Sequence, residues 1–371
     1  MKNVLVTPLD WGLGHATRCI PIIRMLIDRH CNVFIGGSGD SLTLLKHEFP
    51  KLIFLLLPAY HPVYPSSGSM VWKMAAQLPK FVRTIRLEHR ELQVLISRHQ
   101  IDYVISDNRF GCWSASIPSA FITHQSNIQM PKRFGWLGGL VRSTSKVLMG
   151  KFSVCWVPDY PDERSLAGVL GIRREKGESG SSKFIGSLTR FGDPQQREQH
   201  LDVLCILSGP EPQRSIFEKI VVEQLRPSGL RYFVVRGVFS TPGKEMDETI
   251  THADFVLSGD LQTLIEQSHC IIARSGYSTV MDLARLGKKA IFIPTPGQTE
   301  QEYLASRLKA KGIAFFMEQE NFNFMTAWRE SQSYKGFKVS GGETQLLSEA
   351  LDQFFLAASK SDTRHKQVQR V

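Results

Sequence analysis

Residues 3 to 29 read NVLVTPLDWGLGHATRCIPIIRMLIDR, and this stretch decides the fold class. Asn3 to Thr7 is a short apolar run that reads as a buried strand, Gly12 and Gly14 mark a turn, and from about Ala16 to Arg29 the apolar residues fall at helical spacing. Strand, glycine turn and helix in that order predict a parallel sheet flanked by helices. Working outward, the pattern recurs. Cys31 to Gly36, Leu52 to Leu57, Tyr103 to Ser106 and Ser119 to Thr123 each read as a buried parallel strand, with one amphipathic helix from about Val71 to Arg98 among them. A second series starts at Val203 to Leu207 and continues through Tyr232 to Val235, Cys270 to Ala273 and Ala290 to Ile293. Both halves of the chain are therefore read as α/β.

The chain has 371 residues, 42% apolar and 22% charged, enough apolar material for packed cores and too much for wholesale disorder. Single cores stop growing near 250 to 300 residues, so two domains are expected, with a site between them. Residues 174 to 183 lack apolar content and read as a linker or exposed loop. That places a first domain at 1–173 and a second at 184–343, followed by a packed terminal helix at 344–361 and a flexible basic tail at 362–371. The net charge is +10, and it is uneven: residues 1 to 165 hold 19 basic and 11 acidic side chains, a local excess of +8. Such a field favours an anionic partner: a phosphorylated ligand, an acidic membrane surface or nucleic acid. The absence of an RNA-recognition signature, zinc finger or helix-turn-helix argues against nucleic acid. Six cysteines without a Cys-x-x-Cys pair suit reduced core residues, and neither a signal-peptide core nor an apolar run of membrane-spanning length is present, so a cytoplasmic location is expected.

Two junctions carry candidate chemistry. The first is Asp10 to Arg18, where Gly12 and Gly14 permit close backbone approach and the following helix start offers unpaired N–H groups. His15 projects from it as a candidate general base, with Asp107 at a later strand end as its candidate orienting carboxylate. An ordinary turn with a capping histidine is the competing reading. Thr17 stands where a dinucleotide fingerprint needs its third glycine, and no Gly-Lys-Ser/Thr follows, which disfavours an NAD enzyme and a P-loop kinase. The second junction is Ala273 to Asp282: Ser275, Gly276, Ser278 and Thr279 present donors suited to phosphate, and Asp282 an acceptor for two ribose hydroxyls. An N-capped helix with Asp282 offsetting its dipole fits the same residues. Further on, Gln301 and Glu302 follow a buried strand and a polar loop, placed to bind sugar hydroxyls.

Taken in order, these motifs resemble the family 28 glycosyltransferases of GT-B fold, a family that includes the N-acetylglucosaminyltransferase making lipid II for peptidoglycan. Gly12-Leu13-Gly14-His15 is similar to the family's glycine-rich loop ending in Gly-His, and Arg274 to Asp282 to its Arg-Ser-Gly-x-x-Thr-Val-x-Glu signature, with Asp in place of Glu. Gln301 and Glu302 match a Gln-Gln pair that reads donor-sugar hydroxyls; Glu for the second Gln signals a different sugar. Gly186 to Arg190 resembles a Gly-Asn-Pro-Val-Arg segment whose arginine meets phosphate, and Ser208-Gly209 falls at a Gly-Gly-Ser loop. The resemblance implies two Rossmann-like doubly wound domains facing a central cleft. The first would bind the acceptor and the second the nucleotide sugar, with Asp282 on the ribose and Leu257, Ser258 and Leu261 bordering the nucleobase. Transfer of the sugar from a UDP-linked donor to an acceptor hydroxyl would be inverting, with His15 as base and no cofactor.

The loop also resembles the Gly-x-Gly-His-x-x-Arg-Cys pattern of the UDP-sugar hydrolase of pseudaminic acid synthesis, matched by Gly12, Gly14, His15, Arg18 and Cys19. Hydrolysis with His15 activating water is thus the alternative; a sugar-nucleotide epimerase and a non-enzymatic basic binding protein are weaker ones. Two surfaces favour transfer to a lipid-linked or cell-envelope glycan precursor at the inner face of a membrane. Arg83, Arg86 and Arg90 follow Lys73 and Lys80 along one helix face, and apolar Phe134 to Val141 lies among Lys132, Arg133, Arg142 and Lys146. A solvated helix face and a core segment are the plainer readings of the same residues. No Asp-x-Asp metal site occurs, so metal independence is expected.

Overall fold

The structure, a computed structural model, describes residues 1–63, 70–124, 138–170, 182–239, 251–339 and 344–368. In the first domain the elements run β1 (Asn3–Pro8), α1 (Leu13–Asp28), β2 (Asn32–Gly37), α2 (Gly39–Glu48), β3 (Ile53–Leu56), α3 (Met70–Ala75), α4 (Leu78–His99), β4 (Tyr103–Asp107), β5 (Ser119–Ile122), α5 (Gly138–Met149), β6 (Val154–Val157) and β7 (Ser182–Phe184). Its seven strands pair in the order β3-β2-β1-β4-β5-β6-β7, with every pairing parallel. Alternation along β1 divides the core between two faces: Val4 and Val6 pack with Ile20, Ile23 and Leu26 of α1, while Leu5 packs with Leu92 and Leu95 of α4.

The second domain comprises β8 (Leu201–Ile206), α6 (Gln213–Leu225), β9 (Tyr232–Val235), β10 (His252–Ala253), α7 (Ser258–Glu266), β11 (Ser268–Ala273), α8 (Tyr277–Leu286), β12 (Lys289–Phe292), α9 (Thr299–Ala310), β13 (Phe315–Phe316) and α10 (Phe324–Ser331). Its sheet is also parallel throughout, in the order β10-β9-β8-β11-β12-β13. Leu204, Ile271 and Phe292 face α7 to α9, and Val203, Ile272 and Ile291 face α6 and α10.

Three boundaries differ from the sequence reading. The helix expected over 71–98 is two: α3 stops at Ala75, and α4 restarts at Leu78 with Pro79 in its first turn, where a missing N–H leaves no helical bond unmade. The expected linker 174–183 overlaps the first sheet, because Ser182 and Lys183 begin β7 and pair with Cys155 and Trp156 of β6. Phe184, taken as the start of the second domain, thus belongs to the first; residues 174 to 181 lie outside the described residues. The short, polar Ser-Lys-Phe strand sits at the sheet edge, so it carries no apolar pattern.

The terminal helix, α11 (Gln345–Val368), runs past residue 361, where a flexible tail was expected. It returns to the first domain. Leu347, Ala350, Leu351 and Phe354 join the core containing Tyr103 and Trp156, and Arg29 reaches Asp352 at 2.5 Å and the Ser348 hydroxyl at 2.6 Å. Leu351→Ala, at a fully buried position, should lower the urea midpoint of unfolding by the equivalent of roughly 2–5 kcal/mol. An unchanged midpoint would show that this helix adds nothing to the first domain's stability.

Candidate active site where the domains meet

In each sheet the strand order reverses at one place, between β1 and β4 and between β8 and β11, and ligands of open α/β sheets bind outside the strand ends at such switch points. The glycine loop after β1 and Asp107 at the end of β4 occupy the first; Ser208-Gly209 after β8 and Ser275-Gly276 after β11 occupy the second. Gly12 precedes α1 with φ +113°, a backbone conformation that side chains other than glycine rarely adopt. Gly14 serves a different need. Ser278, at the start of α8, donates its hydroxyl to the Gly14 carbonyl at 2.9 Å, and a Cβ on Gly14 would lie 3.2 Å from that Oγ. The N-termini of α1 and α8 therefore meet, neither with an acidic residue in its first turn, which leaves two positive helix ends side by side.

His15 lies in the first turn of α1, and its side chain is 18% exposed. Its Nδ1 is 3.3 Å from Asp107 Oδ1, so the expected pair comes together. Arg18 stands between them. Buried one turn along α1, it donates Nε and Nη2 to Asp107 at 3.1 and 2.6 Å, Nη2 also to His15 Nδ1 at 2.7 Å, and Nη1 to His124 Nδ1 at 2.6 Å. Burial alone would raise the Asp107 carboxyl, but Arg18 and His15 outweigh it and hold it below the usual carboxylate range. Burial likewise works against the Arg18 charge, and Asp107 more than restores it.

His124, just beyond β5, continues the network into the second domain: its Nε2 is 3.0 Å from Glu300 Oε1 in the first turn of α9, and its ring stacks on Tyr277 at 4.2 Å between centroids. The Tyr277 hydroxyl donates to the Pro158 carbonyl of the first domain. Burial pushes His124 below its ordinary pKa, and the Arg18 charge adds to this against the pull of Glu300. An imidazole that accepts from an arginine on Nδ1 carries its hydrogen on Nε2, where Glu300 receives it.

The second domain's motif residues divide. Asp282 is buried and accepts from the Thr189 hydroxyl at 2.7 Å and from Arg190 Nε at 3.1 Å, while burial pushes its carboxyl up against the pull of Arg190. Ser208 is half-buried, Gly209 exposed, and Gly276 and Thr279 half-buried at the junction. Ser275 is corrected: it is fully buried and its hydroxyl donates to the Gln301 carbonyl, so the side chain braces the loop instead of meeting a phosphate. The Gln301 amide is also turned to the loop, accepting from Thr295 N–H at 2.8 Å and donating to Gln298 at 2.5 Å, and Glu302 accepts from Gly297 N–H. Arg274 is a structural brace. It donates to the carbonyls of Ile293, Pro294 and Gln213 and to the Gln319 side chain, lies 4.2 Å from the Phe217 ring, and is pushed down by burial to about 9.

Of the three residues expected beside a nucleobase, Leu261 is instead in the core with Ile265 and Ile271, since it is the fourth residue of α7 and faces the sheet. Leu257 is exposed. Ser258 is buried under the first domain, where Glu48 at the end of α2 accepts its N–H at 2.8 Å and its hydroxyl at 2.5 Å. Beside this contact His47 stacks against Phe239, and Arg24 donates to the Arg190 carbonyl at 2.7 Å. Glu48, His124 and Glu300 escaped the sequence reading because their partners come from the other domain. Arg18 left a signal: an arginine on the apolar face of α1, between Thr17 and Cys19, must find a counter-charge.

On the outer side of the first domain, α4 exposes Leu78, Val82, Leu87 and Val94 among Lys80, Arg83, Arg86 and Arg90. Lys73 and Lys146 are exposed, whereas Lys132, Arg133 and Phe134 to Leu137 fall outside the described residues. Among the described residues no helix is long and apolar enough to cross a membrane, and no three His, Cys, Asp or Glu side chains are grouped as metal ligands.

Residues 239–327 match the glycosyltransferase family 28 C-terminal domain. An uncharacterized glycosyltransferase of Methanosarcina mazei is 25% identical over 327 residues, covering 81% of this chain and 82% of its own length. The UDP-N-acetylglucosamine--N-acetylmuramyl-(pentapeptide) pyrophosphoryl-undecaprenol N-acetylglucosamine transferase of Acidiphilium cryptum is 33% identical over 126 residues, 31% of this chain and 34% of that one. Among solved structures, the glycosyltransferase SnogD of Streptomyces nogalater superimposes with a TM-score of 0.58 over the whole of both chains at 15% identity. The chain is a glycosyltransferase of GT-B fold with a family 28 C-terminal domain.

Because His124 is pushed below its ordinary value of about 6.5, the unfolded chain takes up this proton first on acidification, and stability is lost as pH falls through and below that value. His124→Gln should shrink the drop in melting temperature between pH 7.5 and pH 5.5. An equal drop in both proteins would mean that His124 does not carry this linkage.

Proposed function

We propose that this glycosyltransferase moves a sugar from a UDP-linked donor to an acceptor hydroxyl by a single inverting displacement, without cofactor or divalent metal. The meeting of Ser278 with Gly14 carries the reading, because it sets His15 beside the positive end of α8 at the mouth of the second switch point. In the proposed reaction the acceptor oxygen attacks the anomeric carbon, the bond from that carbon to the phosphate oxygen breaks, UDP departs with the electron pair, and His15 receives the acceptor proton. Charge growing on the diphosphate is met by Arg190 and by N–H groups at Ser208, Gly209, Gly276, Ser278 and Thr279, preorganised donors that replace a metal ion. Asp282 takes the ribose, exchanging its hydrogen bond from Thr189 for ribose hydroxyls, and Gln301 and Glu302 shape the donor-sugar end.

His15→Ala should lower kcat by about 10²- to 10⁴-fold and leave UDP affinity within a few-fold, whereas Asp282→Asn should act mainly on UDP affinity. NMR of the product in the first minutes should show the anomer opposite to the donor. Full turnover by His15→Ala would remove the base assignment, and a retained anomer would remove the single displacement.

For the acceptor we propose a lipid-linked cell-envelope precursor, met at the anionic inner face of a membrane. Leu78, Val82, Leu87 and Val94, exposed between basic side chains on α4, give apolar contact and charge attraction on one surface. The triple variant Arg83→Glu, Arg86→Glu, Arg90→Glu should sediment far less with phosphatidylglycerol vesicles while binding UDP normally. Equal sedimentation would show that this face is only solvated.

A further inference from the structure

We infer that Arg18, His124 and Glu300 form a relay by which the second domain sets which nitrogen of His15 carries its hydrogen, and so whether His15 is ready to act as a base. The inference rests on the proposed role of His15. Arginine can only donate, so the 2.7 Å contact from Arg18 Nη2 to His15 Nδ1 requires a lone pair on Nδ1. The 3.3 Å contact from the same Nδ1 to Asp107 Oδ1 requires a hydrogen there instead. Both cannot hold at once. The shorter contact prevails, and neutral His15 carries its hydrogen on Nε2, leaving that nitrogen no lone pair for an acceptor proton. A base acting through Nε2 needs the other tautomer, with Nδ1–H donated to Asp107 and Nη2 withdrawn.

The position of Nη2 is fixed by the other anchors of the same planar group. Two bonds tie the guanidinium to Asp107, one from Nε and one from Nη2 itself, and the third anchor is His124 Nδ1 at 2.6 Å. His124 can accept there only while its hydrogen is on Nε2, the tautomer that Glu300 selects at 3.0 Å. Glu300 comes from the second domain and immediately precedes Gln301 and Glu302 at the donor-sugar end. When a donor hydroxyl or domain opening draws Glu300 away, His124 is no longer held in the accepting tautomer and the guanidinium loses its third anchor. It then pivots on Asp107, and Nδ1 of His15 is released to Asp107. One proton leaves Nε2 for water as another is taken up on Nδ1, so the imidazole stays neutral and gains a lone pair on Nε2. Arg18, His124 and Glu300 are thus positioning residues.

The test is a long-range proton–nitrogen correlation spectrum of the full chain labelled with ¹⁵N-histidine at pH 8, with His15 and His124 assigned through His15→Gln and His124→Gln. Both rings should show the hydrogen on Nε2 in the wild type. Glu300→Ala should move the His15 hydrogen to Nδ1, whereas Glu300→Gln, whose amide oxygen still accepts from His124, should restore the wild-type pattern. A wild-type His15 already protonated on Nδ1, or an unchanged His15 in Glu300→Ala, would overturn the relay. The spectrum needs no turnover, so the relay and the transfer reaction fail separately: loss of transfer in His15→Ala stands whatever Glu300→Ala shows.

Discussion

The buried pair of Arg18 and Asp107 is the interaction on which the rest of the junction depends. It joins the first helix to the fourth strand where the sheet order reverses, with two of the guanidinium nitrogens on the two carboxylate oxygens. Such a pair adds little net stability, because desolvation offsets most of its attraction; removing one partner costs about 3–5 kcal/mol by stranding the other charge. Its value lies in position. Asp107 fixes a guanidinium plane, and that plane in turn orients His15 on one side and His124 on the other.

From there the two domains meet through polar contacts. Ser278 bonds Gly14, Glu300 bonds His124, Glu48 bonds Ser258, and Arg24 bonds the Arg190 carbonyl. Ser278 and Gly14 join the two switch points directly, and Glu300 reaches Arg18 and His15 through His124, so binding between the domains and the arrangement of His15 draw on one set of hydrogen bonds. Polar interdomain contacts of this kind exchange with those of a ligand at modest cost, as closure around a substrate requires. The terminal helix ties the chain's end back to the first domain through Leu351 and Phe354, so the first domain is completed from both ends of the chain.

The parallel sheets were legible because buried strands are written as apolar runs, and Tyr232 to Val235 matches its strand residue for residue. The edge strand Ser182–Phe184 was not, since half-exposed positions need no apolar pattern. At the site, the loops after β1, β8 and β11 could be read from their glycines and small polar residues, and His15 and Asp107 from their places at a helix start and a strand end. What could not be read was convergence. His124 and Glu300 are 176 positions apart, and Glu48 and Ser258 are 210 apart. Neither spacing nor composition records a contact between folded domains. Ser275 and Leu261 were misplaced for a related reason: motif position does not say which side of a helix or loop faces the core.

A nucleotide sugar bound between the starts of α1 and α8, its sugar passing to a second molecule, is the proposal on which the reading of this junction stands. The most direct measurement incubates the purified chain with UDP-, GDP- and dTDP-sugars, without acceptor and then with membrane lipid extract, with and without chelator, following nucleotide binding and nucleoside diphosphate release. The expected result is tight binding of a UDP-sugar, almost no release alone, and chelator-insensitive release once the extract is added. Rapid release of UDP without any acceptor, or no binding of any nucleotide, would contradict it.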